Sequence, residues 1–187
     1  MKVRPLGLDG VLEIAPTQHE DERGFFSETY SRQSLSEYGV DIEFVQDNCS
    51  VSRKRGVLRG LHYQLPPFAQ DKLVRVVSGR IFDVAVDIRP GSSTFAKWVG
   101  IELSRQRWNQ LLVPKGFAHG FVTLEPETEV QYKVTAPYSR AHDRSIRFDD
   151  ADIAIDWPVS PSLLILSEKD INAPMLRDVN LMEFRIG

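Results

Sequence analysis

Leu73-Val74-Arg75-Val76-Val77-Ser78-Gly79-Arg80-Ile81-Phe82-Asp83-Val84-Ala85-Val86-Asp87-Ile88 reads as strand, turn, strand. Val74 and Val76 alternate ahead of the Ser78-Gly79 turn. Beyond it Phe82, Val84, Val86 and Ile88 share one face, and Asp83 and Asp87 share the other. Outward from this hairpin, short apolar runs recur at Trp98–Leu103, Gln110–Val113, Gly120–Leu124 and Thr128–Thr135, divided by Gly, Pro and charged turns. That spacing predicts a mainly β chain folded as an antiparallel sandwich or barrel. One segment departs from it: Ser31 to Tyr38 tolerates a helix, with Ser31 able to cap and Gly39 placed to stop it. After Asp156-Trp157-Pro158 the prolines at 158, 161 and 174 predict helical turns and loops over the sheet end.

The chain has 187 residues, 42% hydrophobic and 26% charged, which is long enough for one well-buried core and short for two. A single domain over 1–187 is expected. A formal net charge of -3 argues against a general grip on nucleic acid, so basic groups are read as answering local anions on a small ligand. The one cysteine, Cys49, excludes an internal disulfide and any multi-cysteine metal site. With neither a signal peptide nor a membrane-spanning apolar run, a cytoplasmic location is expected.

The chemistry concentrates in two stretches. In Val57 to Gln64, strand alternation would send Leu58, Gly60, His62 and Gln64 to one face, with Arg59 and Lys72 crowding the same region. An imidazole titrates near neutral pH, which suits His62 to proton transfer. Lys72 facing a closed cavity would stabilise an oxyanion such as an enolate. Val113 to Phe121 sets a second histidine, His119, behind a Pro-Lys-Gly turn. Tyr132 alternates with Val130 and Val134, so it reads as an inward aromatic, and as an acid if a cavity brings its phenol opposite His62. Arg23, Arg59 and Lys169 are candidates for a phosphate, although each alone is an ordinary surface charge. No Gly-rich phosphate loop or dinucleotide fingerprint is present, so no cofactor is expected. A metal-dependent barrel would want an His-x-His pair with further ligands. This chain reads His62-Tyr63-Gln64, so no metal is expected either.

Five motifs carry a family resemblance along nearly the whole chain: Asp21-Glu22-Arg23-Gly24-Phe25-Phe26, Phe44-Val45-Gln46-Asp47-Asn48, Gly56 to Gln64, Val113 to Phe121, and Leu166-Ser167-Glu168-Lys169-Asp170. In their order and content they resemble the dTDP-4-dehydrorhamnose 3,5-epimerase family of cupin-fold enzymes. The resemblance implies a metal-free jelly-roll homodimer acting on a dTDP-4-keto-6-deoxyhexose, on the route to dTDP-L-rhamnose. It implies His62 as general base oriented by Asp170, Tyr132 as the acid on the opposite face, and Lys72 at the enolate oxygen. It also implies substrate contacts from Arg23, Glu28, Gln46, Asn48, Arg59, His119, Asp143 and Lys169, with Tyr138 packing near the nucleotide. Two positions depart from the family pattern: Cys49, where a bulkier polar residue is common, and Asp143, where a glutamate is expected. Both bear on substrate contacts. Other readings are a single-centre 3- or 5-epimerase for another deoxysugar, a metal-dependent cupin oxygenase or isomerase, and a sugar-nucleotide binding module without catalysis.

Overall fold

The computed structural model describes residues 1–181. In chain order the elements are β1 (Lys2–Pro5), β2 (Leu12–Ala15), β3 (His19–Asp21), β4 (Gly24–Phe26), α1 (Arg32–Ser36), β5 (Gln46–Ser52), β6 (Leu58–Gln64), β7 (Lys72–Ser78) and β8 (Arg80–Asp87). They continue with β9 (Trp98–Ser104), β10 (Gln110–Val113), β11 (Phe117–Thr123), β12 (Thr128–Val134), β13 (Asp143–Ser145) and α2 (Glu168–Ile171). Two antiparallel sheets dominate, in the orders β1-β2-β10-β7-β12-β5 and β13-β6-β11-β8-β9, and β3 and β4 form a separate hairpin. This is the expected jelly-roll sandwich. Among the described residues no helix is long and apolar enough to cross a membrane.

The hairpin predicted at 73–88 forms, and its two strands go to different sheets. Between the sheets lies a core of Val74, Val76, Ile81, Ala85, Leu111, Phe117, Phe121 and Val130. A second cluster buries Val84, Val86 and Ile88 on the outer face of the five-stranded sheet, under Ile153 and Leu176 of the C-terminal segment. The segment after Trp157 thus covers a sheet face, rather than only a sheet end. Both faces of β8 are therefore buried. Each fully buried Val or Ile contributes about 1.5–3 kcal/mol, whereas Asp83 and Asp87, although 0% exposed, carry charge into the interior. Asp87 is accommodated by donors from Arg89, Ser92 and Thr94; burial alone would raise its pKa, but these bonds hold it at about 2.

The short helix falls where Ser31 and Gly39 bracket it: the Ser31 hydroxyl accepts from the Ser34 N–H at 3.2 Å, and Gly39 takes φ +78°. Leu35 drops from α1 into a third cluster with Ile14, Leu73 and Leu112 on the outer face of the six-stranded sheet.

Strand β6 corrects the expected alternation. Against β11, His62 pairs with His119, but Arg59 pairs with Phe121, so β6 holds one more residue than its partner over this stretch. That bulge changes the phase of the strand. Leu58 turns outward to a cluster with Val122 and Val159, and Arg59 joins His62 on the inner face. Gly60 makes the bulge possible, with φ +145° and space so tight that an added Cβ would lie 2.5 Å from the Gly120 Cα. Gly60→Ala is expected to destabilise the fold by at least about 2 kcal/mol, lowering Tm by roughly 4–8 °C in a chain of this size. A calorimetric scan showing an unchanged Tm would contradict this account of the bulge.

Candidate active site

A cleft of about 450 Å³ opens between the two sheets, lined by Arg59, His62, Lys72, His119, Tyr132 and Asp170, with Ser50, Phe121 and Ser167 among the other walls. Its walls come from different elements. His62 stands on β6 and His119 directly opposite on β11, both in the five-stranded sheet. Lys72 and Tyr132 stand on β7 and β12 of the six-stranded sheet, where Val134 is the partner of Lys72. Tyr132 points inward between Val130 and Val134, as its alternation predicts, and packs against the inter-sheet core.

The His62 Nε2 meets Asp170 Oδ1 at 2.6 Å, and Asp170 is 3% exposed. A neutral imidazole that donates through Nε2 keeps its lone pair on Nδ1, which makes it a base. Ser167 holds Asp170 at two points. Its hydroxyl donates to Asp170 Oδ2 at 2.7 Å and, as the N-cap of α2, accepts from the Asp170 N–H at 3.2 Å. Burial would raise the Asp170 pKa, but the bonds from His62 and Ser167 and the nearby Lys169 bring it below the usual carboxylate value. Lys72 is buried, and its Nζ donates to the His62 backbone carbonyl at 3.3 Å. Loss of hydration lowers its pKa to about 8, against the pull of Asp143 and Asp83. Burial acts in the opposite sense on Tyr132 and raises its phenol, with Asp143 adding to the rise and Arg59 opposing it.

At the rim, Lys169 Nζ meets Asp143 Oδ2 at 2.5 Å, and the Tyr138 hydroxyl donates to the same oxygen at 3.3 Å. The Tyr138 N–H donates to Gln46 Oε1, and Gln46 Nε2 to Asn48 Oδ1. Five of the residues expected from sequence thus form one hydrogen-bonded chain. Asp143, the shorter carboxylate, still reaches Lys169. Cys49 pairs with Gln131 on the outer face of β5, with its Sγ 3.4 Å from Glu129 Oε1, so it touches a different surface from its neighbour Asn48.

Two expected contacts are not brought to this cleft. Arg23 is exposed on the β3–β4 hairpin and paired to Asp21, and Glu28 accepts from the Ser34 hydroxyl. Sequence reasoning missed two others. Ser167 could have been found, because Ser167-x-x-Asp170 has the spacing of a capping box. Asp83, which meets His119 Nε2 at 2.7 Å, carried the signal of a carboxylate inside an apolar run. Gln64, where a metal barrel would place a ligand, spends its amide on Phe68, Pro137 and Ser139 backbone groups. A hollow of about 360 Å³ on the outer face of the six-stranded sheet contains Arg75 and Lys133, which are already engaged by Gln131 and Asp47.

The family model for dTDP-4-dehydrorhamnose 3,5-epimerase matches residues 5–178. The chain belongs to this family. A dTDP-4-dehydrorhamnose 3,5-epimerase of Shigella flexneri is 50% identical over 181 residues, covering 96% of this chain and 98% of the relative. The dTDP-6-deoxy-D-glucose-3,5-epimerase of Legionella pneumophila, solved with dTDP-4-keto-L-rhamnose, is 43% identical with a TM-score of 0.92, covering 97% of this chain and 96% of that one. A more distant structure, a 3'-monoepimerase of Streptomyces bikiniensis in complex with dTDP-quinovose, is 33% identical with a TM-score of 0.85, covering 92% and 87%. Membership in the dTDP-4-dehydrorhamnose 3,5-epimerase family therefore rests on agreement along almost the entire chain.

Proposed function

We propose that this protein is a dTDP-4-dehydrorhamnose 3,5-epimerase that converts dTDP-4-dehydro-6-deoxy-D-glucose to dTDP-4-dehydro-L-rhamnose. The observation that carries the reading is that a carboxylate-held imidazole and a half-buried phenol enter one cleft from opposite sheets. Inverting a stereocentre needs a proton removed from one face and another returned to the other. The C4 ketone acidifies the hydrogens on C3 and C5. His62 takes one of them, becoming an imidazolium steadied by Asp170, and the electron pair moves to the C4 oxygen as an enolate. Lys72 stabilises that oxyanion in a poorly hydrated site. As the enolate collapses, carbon takes the Tyr132 proton on the far face, and exchange with solvent resets both groups. Arg59 and His119 in the cleft, and the rim chain of Gln46, Asn48, Tyr138, Asp143 and Lys169, are assigned to the nucleotide sugar. Incubation with dTDP-4-keto-6-deoxyglucose, without added metal or nicotinamide, tests the reading through product stereochemistry by NMR. Inversion at one centre would move the protein to the single-centre class, and unchanged sugar would leave it a binding module.

Lys72 gives this mechanism a pH signature. With its pKa at about 8, the cation exists below that value and is lost above it, while the raised Tyr132 phenol stays protonated through the same range. The kcat/KM of the free enzyme should therefore fall as pH rises through about 8. Lys72→Arg, whose guanidinium stays charged, should flatten that limb. A parent profile level to pH 10, on the order of the unperturbed lysine value, would show that the charge on Lys72 is not used.

The working form is assigned as a homodimer in the cytoplasm. Strand β5 is an open sheet edge, Val51 on it is exposed, and the β3–β4 hairpin holds Phe26 at 72% exposure. A second copy covering these surfaces would bury apolar area and an unpaired edge. It would also give Arg23 and Glu28 a site to serve. Light scattering should return twice the chain mass at working concentration, and a monomer mass would contradict the assignment.

A further inference from the structure

Asp83 and Asp87 lie on the same inner face of β8, both 0% exposed, but they are not solvated alike. Asp87 has donors from Arg89, Ser92 and Thr94. Asp83 has a single hydrogen bond, from His119 Nε2 at 2.7 Å, and its buried Oδ2 has no hydrogen-bond partner among the described residues. A carboxylate this deep costs several kcal/mol, and an apolar residue of similar volume is often as good for stability. Packing alone does not account for it. Lys72 faces the same interior from β7, also buried, and among the described residues its ammonium makes one hydrogen bond, a long one to a carbonyl.

Several charges surround Lys72. Asp143 of β13 and Asp83 of β8 favour its cation, and Lys169 of α2 opposes it. Arg59 and His62 of β6, His119 of β11, Tyr132 of β12 and Asp170 of α2 line the same cleft. Of the carboxylates, Asp170 is taken by His62 and Ser167, and Asp143 by Lys169 and Tyr138. Of these, Asp83 is the one whose buried oxygen has no hydrogen-bond partner among the described residues.

We propose that Asp83 is a positioning residue for the epimerisation, its buried carboxylate fixing the His119 ring in one tautomer while keeping Lys72 cationic at the floor of the cleft. The inference rests on the reaction assigned above. His119 donating through Nε2 presents its Nδ1 lone pair as an acceptor. The uncommitted Asp83 oxygen supplies a negative charge in a medium where it is weakly screened.

Asp83→Asn keeps the shape and an acceptor for His119 and removes the charge. Its kcat/KM limb should move below the parent's by roughly one pH unit, the order of shift a neighbouring charge produces, with activity recovering towards the parent's in acid. A loss that is uniform across pH, with the limb unmoved, would overturn the proposal and leave Asp83 a structural residue. Coupling of this kind is reciprocal, so Lys72→Met offers a second measurement should the first variant fail to fold. The ¹³C carboxyl resonance of Asp83 should then titrate at higher pH than in the parent, and an unchanged titration would equally overturn it. Parent turnover on the keto sugar is measured alongside. If the parent does not epimerise, the assigned reaction fails, whereas the carboxyl titration still reports on the Asp83–Lys72 coupling.

Discussion

His62→Asn is expected to lower kcat by at least about a hundredfold, the lower end of what a positioned general base contributes, while dTDP still binds. The shorter asparagine leaves the strand and the cleft walls in place, but its amide stops near the position of Nδ1, short of the Nε2 that meets Asp170, and an amide does not accept a proton near neutral pH. The loss should therefore fall on turnover with little change in nucleotide affinity, the pattern of an interaction made in the transition state alone. Asp170→Asn should cost less, because the imidazole remains. What is lost is the carboxylate 2.6 Å from Nε2 that orients the ring and steadies its charged form. Steady-state rates paired with calorimetric titration of dTDP would check both variants. Near-normal turnover in His62→Asn would remove His62 as the base.

Tyr132→Phe separates the two halves of the reaction. In heavy water the parent should place deuterium at both C3 and C5, because each centre receives its new proton from a group that exchanges with solvent. The phenylalanine variant keeps His62, so hydrogens next to the ketone should still exchange. Net inversion should slow by roughly a hundredfold or more, since the acid on the far face is missing. Product NMR reads both quantities in one sample. Unlabelled parent product, or a variant that inverts both centres at the parent's rate, would defeat the assignment of acid and base. Deuterium at one centre alone would support a single-centre epimerase.

Much of the fold was legible because period-two patterning is a local property. The runs at 98–103 and 128–135 became β9 and β12, since apolar alternation suffices where one sheet face is buried, and the continuous run at 110–113 became β10, buried at all four positions. Ser31 and Gly39 bracketed α1 for equally local reasons. Local signals failed at Arg59, where the added residue in β6 reverses the phase of alternation, because a bulge is defined by the partner strand rather than by its own sequence. They also failed at Asp83, since the outcome for a carboxylate within an apolar run depends on which distant histidine meets it. The pairing of His62 with Asp170, 108 positions apart, came from family resemblance, and no spacing rule would have produced it. Arg23 and Glu28 mark a different limit, because a residue can match a family's contact position and still stand outside its own chain's cleft.

The base hangs from one sheet and the acid from the other, and the apolar layer between the sheets, pinned at the cleft by the Lys72 bond to the His62 carbonyl, fixes how far apart they stand. The catalytic distance is thus the thickness of the sandwich, and side chains such as Val76, Ile81 and Val130 act as its spacers. Removing a methyl group from that layer would let the walls settle by tenths of an ångström, trivial for a cavity but large for a proton flight. Turnover should then register interior repacking before melting temperature does. The hydrophobic core of this protein is the ruler of its active site.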